Sequence, residues 1–269
     1  MVAVLRRVAP VLFFSTVLVC MNCSRSDSVR LDVDFSSRPQ WQYGFSMDVV
    51  GTQRSKEPFA ATLTGRVEGI PDTAELQDLA VSLDSIHLTA SFLDTPEIDN
   101  ITAQFTGMKA RLSLRQGMLV PEDSNSVPVV GIGAWDLYRC FCRVVPSLPA
   151  NPVRPGFAWD RERHFPLVTK QGDAVGHLYQ SFVFDSLRTS PDNIRIAYLR
   201  WKFSYSIEPR AKFVFGADSI PLQGDGTGEA LIDVDHHIVL SANAAFVTQP
   251  GSSVMWNESV KLYIISQKE

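Results

Sequence analysis

Cysteine is scarce in this chain, with four in 269 residues. The two in the body, Cys140 and Cys142, stand two apart, so a disulfide between them would close a ring too small for its preferred geometry. They do not form a CxxC redox pair, and no further cysteine supports a zinc site. Both are expected as small buried apolar residues. An excess of positive charge is also missing: 25 Lys and Arg face 29 Asp and Glu, for a formal net charge of −4. No basic stripe interleaves with aromatics, so nucleic acid is excluded as an expected partner. Catalytic signatures are missing as well. There is no GxSxG elbow, no SxxK pair, no HExxH and no P-loop. The run "GDGTG" at 224–228 lacks the lysine of a phosphate cradle and precedes strand-like sequence, so it reads as a turn or strand entry. No cofactor is implied.

Long apolar runs are equally rare. One covers Val8–Met21, "VAPVLFFSTVLVCM", just after Arg6 and Arg7. It falls short of the roughly 20 apolar residues of a membrane span. A positive start, a short apolar stretch and an abrupt polar turn mark a secretory signal. The turn, "LVCMNCSRSDS", resembles a bacterial lipoprotein signal, in which a cysteine becomes the acylated N-terminus. That resemblance implies attachment at Cys23, since Ser24–Ser28 is tether-like, with Cys20 as the alternative. Several acyl chains would hold a protein firmly at a membrane, where one chain is marginal.

What is present in quantity is two-residue alternation, the signature of a half-buried strand. Hydrophobic residues make up 45% of the chain, enough for a packed core. Tyr43, Phe45, Met47 and Val49 share one face of a strand, and Ala61, Leu63, Gly65 and Val67 repeat the pattern. Leu79, Val81 and Leu83 stand opposite Ile86, Leu88 and Phe92, and the change of face near Ser85 predicts a bulge. Ile101, Ala103 and Phe105 read as a further strand, followed by Ala110, Leu112 and Leu114. The period changes after Pro128. Helical spacing of Trp135, Tyr138, Cys142 and Val145 predicts one main helix over Gly133–Val145, stopped by Pro146; a short helix over Thr73–Asp78 is also predicted. Strands resume with Leu178, Phe182 and Phe184, then with Leu199, Trp201, Phe203, Tyr205 and Ile207. Two strands flank a turn near Asp235–His237, and Val254–Ile264 is the last strand.

The expected fold is therefore mainly β: a curved antiparallel sheet or half-open barrel, whose two halves look alike, with one main helix. The organisation expected is a signal segment at 1–23, a polar tether at 24–30, an N-terminal β half at 31–128, a helix and proline-rich joint at 129–158, and a C-terminal β half at 159–269. Trp159 is expected to be buried as a packing anchor, with His164, Asp160 and Glu162 on a charged loop and His164 without a catalytic partner.

Candidate sites are few. Asp233, Asp235 and His237 would share one face of a strand and could ligate a metal, but polar residues at a tight turn are ordinary. Trp201, Phe203 and Tyr205 could line an apolar ligand cavity or form a plain core stripe.

The joint, "LPANPVRPGFAWDRERHFPL", resembles a phrase of uncharacterised bacterial envelope lipoproteins. Its carriers are Leu148, Pro149, Pro152, Val153, Gly156 and Trp159, with Phe157 where that group has an acid, and "GDGTGEALIDVDHHIVL" is similar to its glycine-containing hairpin. The resemblance implies a helix followed by a β-rich C-terminal half. The wider architecture is similar to the half-open barrels of LolA and LolB. Together these imply a non-enzymatic lipoprotein of the bacterial envelope, anchored at the outer membrane and binding a lipid, another apolar ligand or an envelope protein. A structural or assembly protein without a cavity is the alternative, and a hydrolase with scattered catalytic residues is the third.

Overall fold

The computed structural model describes residues 28–34, 41–53, 56–70, 77–90, 94–107, 109–115, 118–121, 129–130, 135–136, 144–169, 172–209, 222–250 and 254–267. The chain forms β1 (Trp41–Gln53), β2 (Lys56–Ile70), β3 (Gln77–Ala90), α1 (Thr95–Phe105), β4 (Lys109–Arg115) and β5 (Met118–Pro121). After the two-residue strands β6 (Val129–Val130) and β7 (Trp135–Asp136) come β8 (Ala158–Thr169), β9 (Gly172–Thr189) and β10 (Arg195–Pro209). β11 (Leu222–Asp233), β12 (Ile238–Pro250) and β13 (Val254–Gln267) complete it. Eleven strands make one curved antiparallel sheet in the order β5-β4-β3-β2-β1-β13-β12-β11-β10-β9-β8. Two meanders, β1–β5 and β8–β13, thus meet where the first long strand pairs with the last, from Trp41 opposite Gln267 to Gln53 opposite Val254.

Alternation decides which face is inside. Tyr43, Phe45, Met47, Val49, Leu63 and Val67 are buried, as are Leu199, Trp201, Phe203, Phe246 and Leu262, while their sequence neighbours face outward. The bulge expected near Ser85 is present: Thr64 pairs with Ser85 and Gly65 with Leu83, leaving Asp84 extra in β3. Its consequence differs from the expectation. The extra residue brings Leu79, Val81, Leu83, Ile86 and Leu88 onto one buried face rather than two. Asp84, pushed outward, receives a two-pronged hydrogen bond from Arg66 at 2.7 and 2.9 Å.

Glycines on β2 and β11 let the inner aromatics lie flat. Gly65 pairs with Phe45, Gly224 with Tyr205, Gly226 with Phe203 and Gly228 with Trp201. A Cβ at Gly228 would meet the Trp201 ring at 2.2 Å, and one at Gly226 would meet Phe203 at 2.4 Å and the Ala245 carbonyl at 2.7 Å. The ring covers the strand where the glycine leaves a gap, a pairing known to pin register. "GDGTG" is therefore strand interior, not a turn or strand entry. From Trp201 the rings continue across the sheet: Phe182 lies at 5.7 Å, Trp159 lies 5.2 Å beyond it and Phe157 a further 6.0 Å.

The helical expectations need correction. The described helix is α1, over residues read as a strand through Ile101, Ala103 and Phe105. "DTPE" explains it: Asp94 accepts from the Glu97 N–H at 2.9 Å, Glu97 accepts from the Asp94 N–H at 3.0 Å, and Pro96 sits in the first turn. This reciprocal cap and proline favour helix initiation. Conversely, Gly133–Val145 is not helical at its start, where Trp135–Asp136 pairs with Val129–Val130. β-Branched and aromatic residues suit a ladder. Val144 has helical backbone, and 137–143, with Cys140 and Cys142, lies outside the described residues. So does 73–76 of the predicted short helix, whose remaining Gln77 and Asp78 open β3. Residues 1–27, with Cys20 and Cys23, are also outside the described set.

The joint packs as a brace. Val144–Pro149 is buried, and Val29 and Val153 exchange backbone hydrogen bonds of 2.8 and 2.9 Å. Trp159 is 8% exposed and donates from Nε1 to the Ser147 carbonyl at 2.8 Å, consistent with a packing anchor. The expected charged loop at Asp160–His164 is instead the edge strand β8. Its charges oppose self-pairing. A symmetric antiparallel pair centred on Arg161 sets Asp160 against Glu162, and one centred on Glu162 sets Arg161 against Arg163, like charges in both cases.

The glycine arrangement predicts that Gly228→Val costs about 2–3 kcal/mol, as overpacked positions do, read as a lower urea midpoint. Against Trp201→Ala its cost should shrink, because the ring it strikes is gone. Equal costs in both backgrounds would refute the ring-over-glycine account.

Candidate functional site

The aromatic stripe from the sequence faces inward and is closed. Trp201, Phe203 and Tyr205 are 2%, 3% and 6% exposed. Phe203 packs edge-on to Phe246 with centroids 5.8 Å apart. Tyr43 shows how dry this face is: burial pushes its phenol far above the ordinary range, only partly offset by its hydrogen bond with the Val239 backbone.

Asp233, Asp235 and His237 do meet at a turn, as the sequence suggested, spanning Val234–His237 between β11 and β12. The carboxylates of Asp233 and Asp235 are committed there, while His237 Nδ1 is buried without a hydrogen-bond partner. Asp233 Oδ1 accepts from the N–H groups of Asp235 and His236 at 3.0 and 2.9 Å, and its Oδ2 lies 2.7 Å from His236 Nδ1. Asp235 accepts from the Arg195 backbone at 2.7 Å and from its guanidinium at 2.8 and 2.6 Å. These bonds, with the side-chain bond first, hold the Asp235 carboxyl below the usual range. His237 has a positive φ of 58°, which closes the turn, and its carbonyl accepts from the Asp34 N–H at 2.9 Å. Among the described residues, no group of three or more His, Cys, Asp or Glu is placed to hold a metal.

The five histidines fall in three places: His164 with His177 on β8 and β9, His236 with His237 at the turn, and His87 on β3. His164 lies opposite His177, with ring centroids 4.5 Å apart, and its Nε2 is 3.2 Å from Glu162 on an exposed surface. His87 is exposed on β3. A small recess of about 260 Å³ beside His177 and Glu162 is lined by Ser204, Ser206 and Gln223.

The larger openings lie on the outward face, where sequence reasoning placed no site. A groove of about 690 Å³ crosses β9–β13, and one of about 740 Å³ continues it towards β1. They share a row across four strands, Lys202, Thr227, Ala245 and Ser259, each paired with the next in register. Short side chains in the middle make the floor low, and the floor is mostly apolar. The first groove carries Arg200, Lys202 and Lys261 against Glu229; the second carries Asp48, Asp225 and Glu258 against Lys202. A trough of this volume is of small-molecule size. The signal that could have found it is the outward row of small residues on consecutive strands, visible only once the register is known.

No protein-family model and no curated protein matches the chain. Among solved structures it is similar to lipovitellin, in a study of its lipid–protein interactions, at 13% identity and a TM-score of 0.44 over 83% of this chain and 25% of that one. The chain thus spans about a quarter of that protein. A domain from Vibrio parahaemolyticus described as an outer-membrane lipoprotein-sorting protein is similar at 9% identity and a TM-score of 0.20, over 84% of each chain. A LolA-superfamily protein from Nitrosomonas europaea is similar at 8% identity and a TM-score of 0.19, over 82% of this chain and 84% of that one. The resemblance to LolA-like folds is distant, and no family model supports the motif likeness of the joint.

The Asp235 clasp predicts an acid-dependent loss. Its lowered pKa contributes stability that is present above the unfolded carboxylate value, near 3.9, and is lost as pH falls through the folded value. Asp235→Asn should cost about 1 kcal/mol at neutral pH, modest because the pair is partly solvated. The gap to wild type should narrow as pH falls below the unfolded carboxylate value. Denaturation curves that stay parallel from pH 7 to 2 would contradict the clasp.

Proposed function

We propose that this chain is a non-enzymatic lipoprotein of the bacterial cell envelope, held at the outer membrane by acyl chains on Cys23, with Cys20 as the alternative attachment point, and that it binds an apolar ligand of acyl type. The reading of the anchor rests on the Arg6–Arg7 start, the apolar run and the tether-like Ser24–Ser28. The reading of the ligand rests on one observation. The sheet pairs an enclosed apolar face with an open trough of ligand size whose floor is mostly apolar. The described histidines are turn or surface groups, which favours binding over chemistry.

A second reading, an assembly or structural protein with no ligand cavity, is favoured by the close packing of Trp201, Phe203 and Tyr205. With those rings closed, an inner-face ligand requires that face to open, whereas the trough is open as it stands.

Two measurements test the proposal. Metabolic labelling with a fatty acid should mark the wild type and Cys20→Ser but not Cys23→Ser. Loss only in Cys20→Ser moves the attachment point, and no label on any form rejects the anchor. Mass spectrometry of the protein purified from its own membrane should detect a bound acyl compound beyond any covalent chains. A ligand-free protein that also takes up none on titration would leave the assembly reading.

A further inference from the structure

We infer that the basic end of the outward trough is a binding site for a single-chain amphiphile with an anionic head, a carboxylate or phosphate, lying between Lys202 and Lys261 with its alkyl chain along Thr227, Ala245 and Ser259. The inference rests on the ligand-binding reading above and gives that ligand a place and a charge.

The charges at this end are unequal in their commitments. Arg200 is taken by Asp185, with one hydrogen bond at 2.6 Å, and Glu229 accepts from Tyr198 Oη at 2.7 Å. Among the described residues, Lys202 and Lys261 have no ion-pair partner. They stand on β10 and β13, with β11 and β12 between them. Three strand spacings of about 4.8 Å separate their strands, about 14 Å in all. Two flexible ammonium groups that flank a low floor can converge on one anion.

The floor fits the rest of such a ligand. Ala245 and the half-buried Val183 present apolar surface, and Thr227 and Ser259 add hydroxyl donors beside the cations. The acids Asp48 and Asp225 line the second groove with Glu258, and Asp48 already accepts from Thr62 at 2.9 Å. An anionic head therefore goes to the first groove, where basic side chains outnumber Glu229, and a neutral chain can pass over the row that the two grooves share.

The test titrates the full-length protein with laurate, dodecyl phosphate and neutral dodecanol, below their aggregation concentrations, by calorimetry. The expected result is that one or both anions bind and dodecanol binds at least tenfold more weakly. Lys202→Glu with Lys261→Glu should weaken the anions at least tenfold, Lys→Arg at both positions should restore them, and Ala245→Phe should block the floor. All substituted side chains face outward, so an unchanged melting curve checks that each variant folds. Inorganic phosphate binding as well as dodecyl phosphate would overturn the chain's place on the floor. Unchanged affinity in the double Lys→Glu and Ala245→Phe variants would overturn this site while leaving ligand binding intact. If the wild type binds no amphiphile and copurifies with none, the ligand reading falls together with the site.

Discussion

The pairing of β1 with β13 is the contact on which the remainder of the structure depends. Each meander is local: β1–β5 and β8–β13 are built of neighbouring strands in chain order. Only the antiparallel register from Trp41 opposite Gln267 to Gln53 opposite Val254 joins them into one sheet. Without it Met47 would lose Val260 and Phe45 would lose Leu262 as direct partners, and two sheets would each expose a new edge. It is also the contact with the greatest sequence separation, so closing it carries the largest loop-entropy cost. The brace of Val29 with Val153 works in the same direction, tying the start of the described chain to the joint before β8.

Given that sheet, the glycines decide what the inner face can be. Residues without a side chain on β2 and β11 let Phe45, Trp201, Phe203 and Tyr205 lie against backbone, which fills the interior with rings already in place. A filled interior changes where a ligand can go. The stripe, which the sequence left open as cavity wall or core stripe, is buried, and the open groove lies on the other face, floored by Thr227, Ala245 and Ser259. The same alternation that buries Trp201 and Phe203 turns Lys202 outward, so core and candidate site are set by one register.

Much of the sheet was legible because period-two patterns in Tyr43–Val49, Ala61–Val67 and Leu199–Tyr205 have few other solutions. The bulge at Asp84 was visible as a slip of that period, and Trp159 as a single large apolar residue after a run of prolines. Three features were misread for identifiable reasons. α1 has apolar residues at Ile101, Ala103 and Phe105 that mimic alternation, and the decisive signal was the cap at Asp94 and Glu97. β8 looked like a loop because Asp160–His164 is charged, yet edge strands carry charge to avoid pairing. "GDGTG" looked like a turn because glycine usually breaks strands, and only the rings of the neighbouring strand explain it. The trough could not be read at all, since Lys202 and Lys261 are far apart in sequence and come to flank one groove only through the order of β10–β13.

The enclosed apolar core is the ground on which we propose that an amphiphile is held on the outward face. The most direct test is photo-crosslinking with laurate or dodecyl phosphate bearing a diazirine in the alkyl chain, followed by peptide mapping of the adducts. The account predicts adducts on the outward row at Thr227, Ala245 and Ser259, lost when Lys202 and Lys261 are both changed to glutamate. Adducts concentrated on Trp201, Phe203 and Tyr205 would contradict it, because they would show that the inner face opens to take the ligand.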